Sequence, residues 1–137
     1  MGTGRTTLNA ELARRWGMKQ ISSDLTRKQL AGVPSTEHRN ESCGQGLYSE
    51  ALSEATYSAM LRETAESLGP RGRSVVMDTS FMRQSDRERV FETGQKAGAA
   101  VWFVERYASE DEVRRRFSIR ASDDHAVSDG HLELVAR

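Results

Sequence analysis

Gly2-Thr3-Gly4-Arg5-Thr6-Thr7 places backbone freedom, a cation and three hydroxyls directly ahead of an amphipathic run. Glycines let successive backbone N–H groups curl around an anion, and the N-terminus of the following helix adds its positive dipole end. The chemistry open to such a segment is phosphate binding. In the common form of this loop a lysine meets the outer phosphates and a Ser or Thr hydroxyl ligates magnesium. By position Gly4 is then the last loop glycine, Arg5 stands where lysine is expected, Thr6 is the magnesium ligand, and Thr7 is an extra hydroxyl. Two departures stand out. The first glycine of the motif and the strand before it would lie upstream of Met1, and a broad guanidinium fork fits a tight nest less well than a compact ammonium. The same six residues also suit a flexible glycine-rich terminus.

Two carboxylates and a run of arginines complete the chemically suggestive set. Asp78 closes the apolar stretch Val75-Val76-Met77, where it can hold magnesium through water or simply mark a strand end. Asp24 follows a second short apolar segment and is equally suited to cap a helix that begins near Thr26. Arg114, Arg115 and Arg116 are consecutive, so on a helix they cannot share one face.

The elements that must position these residues follow from periodicity. Thr6 to Trp16 reads as a helix with Leu8, Leu12, Ala13 and Trp16 on one face and Gly17 as its stop. Lys19 to Ser23 is a short strand carrying Ile21, Thr26 to Ala31 a short helix, and residues 33–46 a polar loop. A long helix spans Ser49 to Leu68 on Leu52, Ala55, Ala59, Met60 and Leu68. Arg73 to Met77 reads as a buried strand ending at Asp78. Ser85-Asp86-Arg87-Glu88 is a capping box opening a helix through Ala97. Ala99 to Glu105, with Val101, Trp102, Phe103 and Val104, is the second buried strand, and Ser109-Glu110-Asp111-Glu112 opens one more helix. Strands alternating with amphipathic helices define an α/β fold with a parallel sheet.

Bulk composition bounds the function. A chain of 137 residues fits one domain, residues 1–137, with one core. Acidic and basic residues balance at 20 each, so no net field draws the chain to nucleic acid or an anionic membrane. The hydrophobic share of 36% is low, as it would be in a domain short of a buried strand. The single cysteine, Cys43, excludes an internal disulfide, and no apolar run is long enough to span a bilayer, so the expected compartment is the cytoplasm.

Taken in order, G-T-G-R-T-T-L, I-S-S-D-L-T-R-K-Q-L-A-G, G-L-Y-S-E, S-V-V-M-D-T-S-F and D-E-V-R-R-R-F resemble the small P-loop kinase-like proteins, over Gly2 to about Asp129. Members are described as AAA family ATPases or as the ATP-binding half of bifunctional aminoglycoside-phosphotransferase-like proteins. The resemblance implies a three-layer P-loop NTPase-like fold of the nucleoside and small-molecule kinase group, with ATP and Mg as cofactors. It implies an ATP-dependent kinase whose phosphoryl acceptor is a small-molecule hydroxyl, and a fused or partner phosphotransferase-like domain. Gly2, Thr3, Gly4, Arg5, Thr6 and Thr7 then hold the nucleotide, and Thr6 and Asp78 hold the metal. Asp24 takes the place of the carboxylate that contacts the acceptor hydroxyl, with Arg27 one turn on as an acceptor or phosphate contact. One of Arg114, Arg115, Arg116 or Arg120 is the lid arginine that offsets charge on the transferring phosphoryl group, the alternative being a solvated helix surface.

In the resembled fold a strand before the loop lies mid-sheet, between the strand ending at Asp78 and the one at Val101 to Val104. The chain is expected to lack that first strand and the last one. The expected consequence is marginal stability, or a repacking in which the two remaining strands meet. A nucleotide-binding module without catalysis, and a non-functional fragment, are the competing readings.

Overall fold

The structure, a computed structural model, describes residues 5–35, 49–70, 72–105, 109, 111, 112 and 115. Arg5–Trp16 forms helix α1, one residue longer at its start than periodicity suggests, and Gly17 ends it with a φ of 61°. That left-handed conformation costs glycine nothing and lets the chain reverse into the sheet. Strand β1 (Lys19–Ser22) follows and runs straight into helix α2 (Ser23–Leu30). Helix α2 starts three residues ahead of the expected Thr26. Ser22, not Asp24, is therefore its N-cap residue, and Asp24 lies in its first turn.

Helix α3 (Glu50–Leu68) begins where expected, because the Ser49 hydroxyl accepts the Leu52 N–H at 3.3 Å. Its buried stripe differs from the apolar one read from sequence. Ala55 is exposed, and the inward residues are Thr56, Tyr57, Met60, Thr64 and Ser67. Burial of hydroxyls is possible here because a helix can satisfy them itself. Thr56 and Ser67 donate to the carbonyls of Leu52 and Glu63, both at 2.7 Å.

Strand β2 (Val75–Asp78) pairs in parallel with β1, with Ile21 opposite Met77 and Ser22 opposite Asp78. Helix α1 packs against both strands, and α3 packs against both strands and against α2. Helix α4 (Gln84–Lys96) packs on α3. It starts at Gln84 with Arg83 as N-cap residue, two residues ahead of the expected cap Ser85. Among the described residues the buried apolar side chains are Ile21, Val33, Tyr57 and Met60, a thin core.

The second buried strand is a correction. Val101–Glu105 carries no strand pairing among the described residues, and Trp102 and Val104 are exposed at 86% and 69%. The two remaining strands therefore do not meet: the sheet is β1 beside β2, and Val101 instead lies against Gly94 of α4. Trp16, expected on the inner face of α1, is 70% exposed. Ser109 does act as a cap, its hydroxyl accepting the Glu112 N–H at 3.3 Å. The expected sites at Gly2, Thr3, Gly4, Arg114, Arg116 and Arg120, and most of the 33–46 loop, lie outside the described residues.

Candidate functional site

Three features converge at one edge of the sheet. Parallel β1 and β2 end together, since Ser22 is opposite Asp78. The first residue of α1, Arg5, touches Asp78, so the N-terminus of α1 lies at that same C-terminal edge. Asp24 follows two residues after the end of β1. Open α/β sheets bind ligands at this edge, and a helix N-terminus there offers unpaired N–H groups to an anion.

The Arg5–Asp78 contact dominates the electrostatics. Arg5 Nε donates to Asp78 Oδ1 at 2.5 Å, with the Asp78 side chain 2% exposed and that of Arg5 32%. A buried carboxylate needs a cation or several hydrogen bonds to remain charged, and Arg5 supplies the cation. Next along the chain, Thr79 is buried, and its hydroxyl is within 2.8 Å of the Tyr57 hydroxyl. This contact ties α3 to the segment leaving β2. Periodicity gave Tyr57 no role, because a tyrosine in a helical stripe carries no mark of what its hydroxyl will meet.

Beyond Thr79 the chain turns sharply. Phe81 has a φ of 46°, uncommon for a bulky side chain. It is held there by Arg87, whose Nη1 donates to the Phe81 carbonyl at 2.5 Å. Ring contacts with Tyr57 and Phe103 add to this, at centroid distances of 6.2 and 5.5 Å. Arg83 donates to Glu50 at 3.1 Å. Both arginines thus have structural partners.

Asp24 and Arg27 form an i,i+3 pair at 3.3 Å on α2, both mostly buried. The two residues proposed for the acceptor side are therefore brought together. Thr6 and Thr7 are exposed in the first turn of α1. Arg115 is 67% exposed and pairs with Glu112 at 2.8 Å, the solvated-surface arrangement. Among the described residues no three His, Cys, Asp or Glu side chains gather as a metal site. Thr6 and Asp78 have the hard oxygen chemistry that magnesium takes. Yet Asp78 Oδ1 already bears a guanidinium and the side chain is only 2% exposed, so in this arrangement the pair does not fit a magnesium ion held on Asp78.

A helix N-terminus facing the C-terminal edge of parallel strands, with a cation and a buried carboxylate between them, is the layout of α/β proteins of the P-loop type. The AAA domain family, whose fold is of this type, matches residues 1–137, and the chain belongs to that family. No curated protein and no solved structure matches the chain. Among the described residues no helix is long and apolar enough to cross a membrane.

Proposed function

We propose that the chain binds ATP at the C-terminal edge of β1 and β2 and transfers its γ-phosphoryl group to the hydroxyl of a small molecule. The observation that carries this reading is the meeting of Arg5, at the start of α1, with Asp78, at the end of β2. It sets helix N–H groups, a guanidinium and the acidic segment Ser23-Asp24 around one edge of the sheet. The N–H groups at the start of α1 and the hydroxyls of Thr6 and Thr7 bind phosphate oxygens. Asp24 accepts the proton of the attacking alcohol as its oxygen bonds to the γ-phosphorus and the bond to the leaving ADP oxygen breaks. Arg27 holds Asp24 in place and adds positive charge toward the incoming anion.

The same Arg5–Asp78 contact favours a second reading, a nucleotide-binding module without turnover, because it occupies the carboxylate on which a metal-assisted transfer would depend. One experiment separates them. ATP binding is followed by calorimetry, and ADP release is followed with water as the default acceptor. Under the kinase reading, Asp24→Asn binds ATP within about threefold of wild type and releases ADP at least about 10²-fold more slowly. Equal and negligible ADP release by both proteins, with binding intact, selects the binding module. Absence of ATP binding overturns both.

A further inference from the structure

We propose that the Arg5 guanidinium takes the place of the divalent cation at Asp78, so that this chain binds nucleotide as tightly without magnesium as with it. The inference rests on the nucleotide-binding reading above and adds a statement about how its charge is balanced. Asp78 stands at the end of β2 with 2% of its side chain exposed, and such a carboxylate requires a positive partner. Its partner is Arg5, and the contact is through Nε alone. A guanidinium is a flat fork with five N–H bonds and does not lose its proton in proteins. One N–H is spent on Asp78. Among the described residues the two Nη nitrogens donate to nothing, which leaves four N–H bonds to meet phosphate oxygens in the fork geometry that arginine offers.

Arg5 is also the first residue of α1, so its charge adds to the positive dipole end where the phosphates bind. Magnesium on Asp78 would sit beside a cation already in contact with that carboxylate, whose side chain is only 2% exposed. Like charges that close repel. At the same edge of the sheet Asp24 is paired with Arg27 at 3.3 Å, so that acid carries an arginine as well. The guanidinium thus does the work of a tethered counter-ion between a buried carboxylate and the phosphates.

The test is a set of titrations of the full chain with ATP, by calorimetry or with a fluorescent ATP analogue, in excess magnesium chloride and in excess EDTA. For wild type the two Kd values are expected within about threefold of each other. Arg5→Lys exchanges the fork for a compact, strongly hydrated ammonium that can sit on phosphate and release Asp78. Its ATP affinity is expected to become magnesium-dependent by about tenfold or more. Wild-type binding that tightens tenfold or more with magnesium overturns the inference while leaving the nucleotide reading intact. So does magnesium independence in both proteins, which would detach the effect from Arg5. No binding by either protein under either condition removes the nucleotide reading and this inference with it. Should R5K fail to fold by circular dichroism, a second measurement uses wild type alone. Free Mn²⁺, followed by its electron paramagnetic resonance signal, is expected to stay unbound by the nucleotide-free protein, and uptake of one ion overturns the proposal.

Discussion

Replacing Arg5 with alanine strips the buried Asp78 carboxylate of its charged partner, and the cost can be bracketed from the structure. Breaking a buried ion pair by removing one member costs about 3–5 kcal/mol, because the survivor is left charged in a low-dielectric site. Arg5 keeps 32% of its side chain in solvent, so water can enter the space it vacates and relieve part of that penalty. The expected loss is about 2–3 kcal/mol, close to the value of a charge-assisted hydrogen bond. Asp78→Asn keeps an acceptor for Nε and removes the charge, and should cost less, about 1–2 kcal/mol. The double variant has no buried charge to strand. Its loss should fall short of the summed single losses by about 1–2 kcal/mol. Urea unfolding followed by far-UV circular dichroism, analysed with a common slope, gives all three values. A loss below about 0.5 kcal/mol in R5A places the residue among ordinary surface positions. That result, or strict additivity in the double variant, refutes the contact as the organiser of the site.

Gly94→Ala tests the seat of Val101 on α4. A Cβ at Gly94 would lie 2.2 Å from Val101 Cγ2, a hard overlap with a short branched side chain. The strain exceeds the helix-propensity gain of at most about 1 kcal/mol, and a net destabilisation of about 1–2 kcal/mol is expected, as for other overpacked sites. Adding Val101→Ala should restore stability, and failure to do so would place the strain elsewhere. At the far end of α1 a pH effect is expected. The Arg14 guanidinium first, and Arg15 second, hold the Glu11 carboxyl below its ordinary value of 4.5. A carboxyl lowered by folding contributes stability that is complete above the unfolded value and fades as the pH falls through the folded one. The unfolding midpoints of wild type and Glu11→Gln should therefore converge as the pH drops below 4.5, and a constant gap would show that the pair does not act through charge.

Sequence alone determined the elements whose causes are local. The helices at Arg5–Trp16 and Glu50–Leu68, the strand ending in Asp78 and the glycine after α1 all follow from periodicity, caps and φ preference within a few residues. The places of Asp78 at the end of one strand and of Asp24 just after the other were legible too, because both follow short apolar segments written in the chain. Other features were decided only when the chain folded. Arg5 and Asp78 are 73 residues apart, and nothing in the spacing says that one neutralises the other. Val101–Glu105 has the composition of a buried strand, but a strand is made by its partners. With none paired to it among the described residues, its Trp102 and Val104 face solvent. Likewise Thr56, Thr64 and Ser67 went inward while Ala55 stayed exposed, because the helix face is set by what α2 and the sheet present to it. Local propensity acts over one turn or one strand. Charge pairing and burial act between segments that only the tertiary fold brings together.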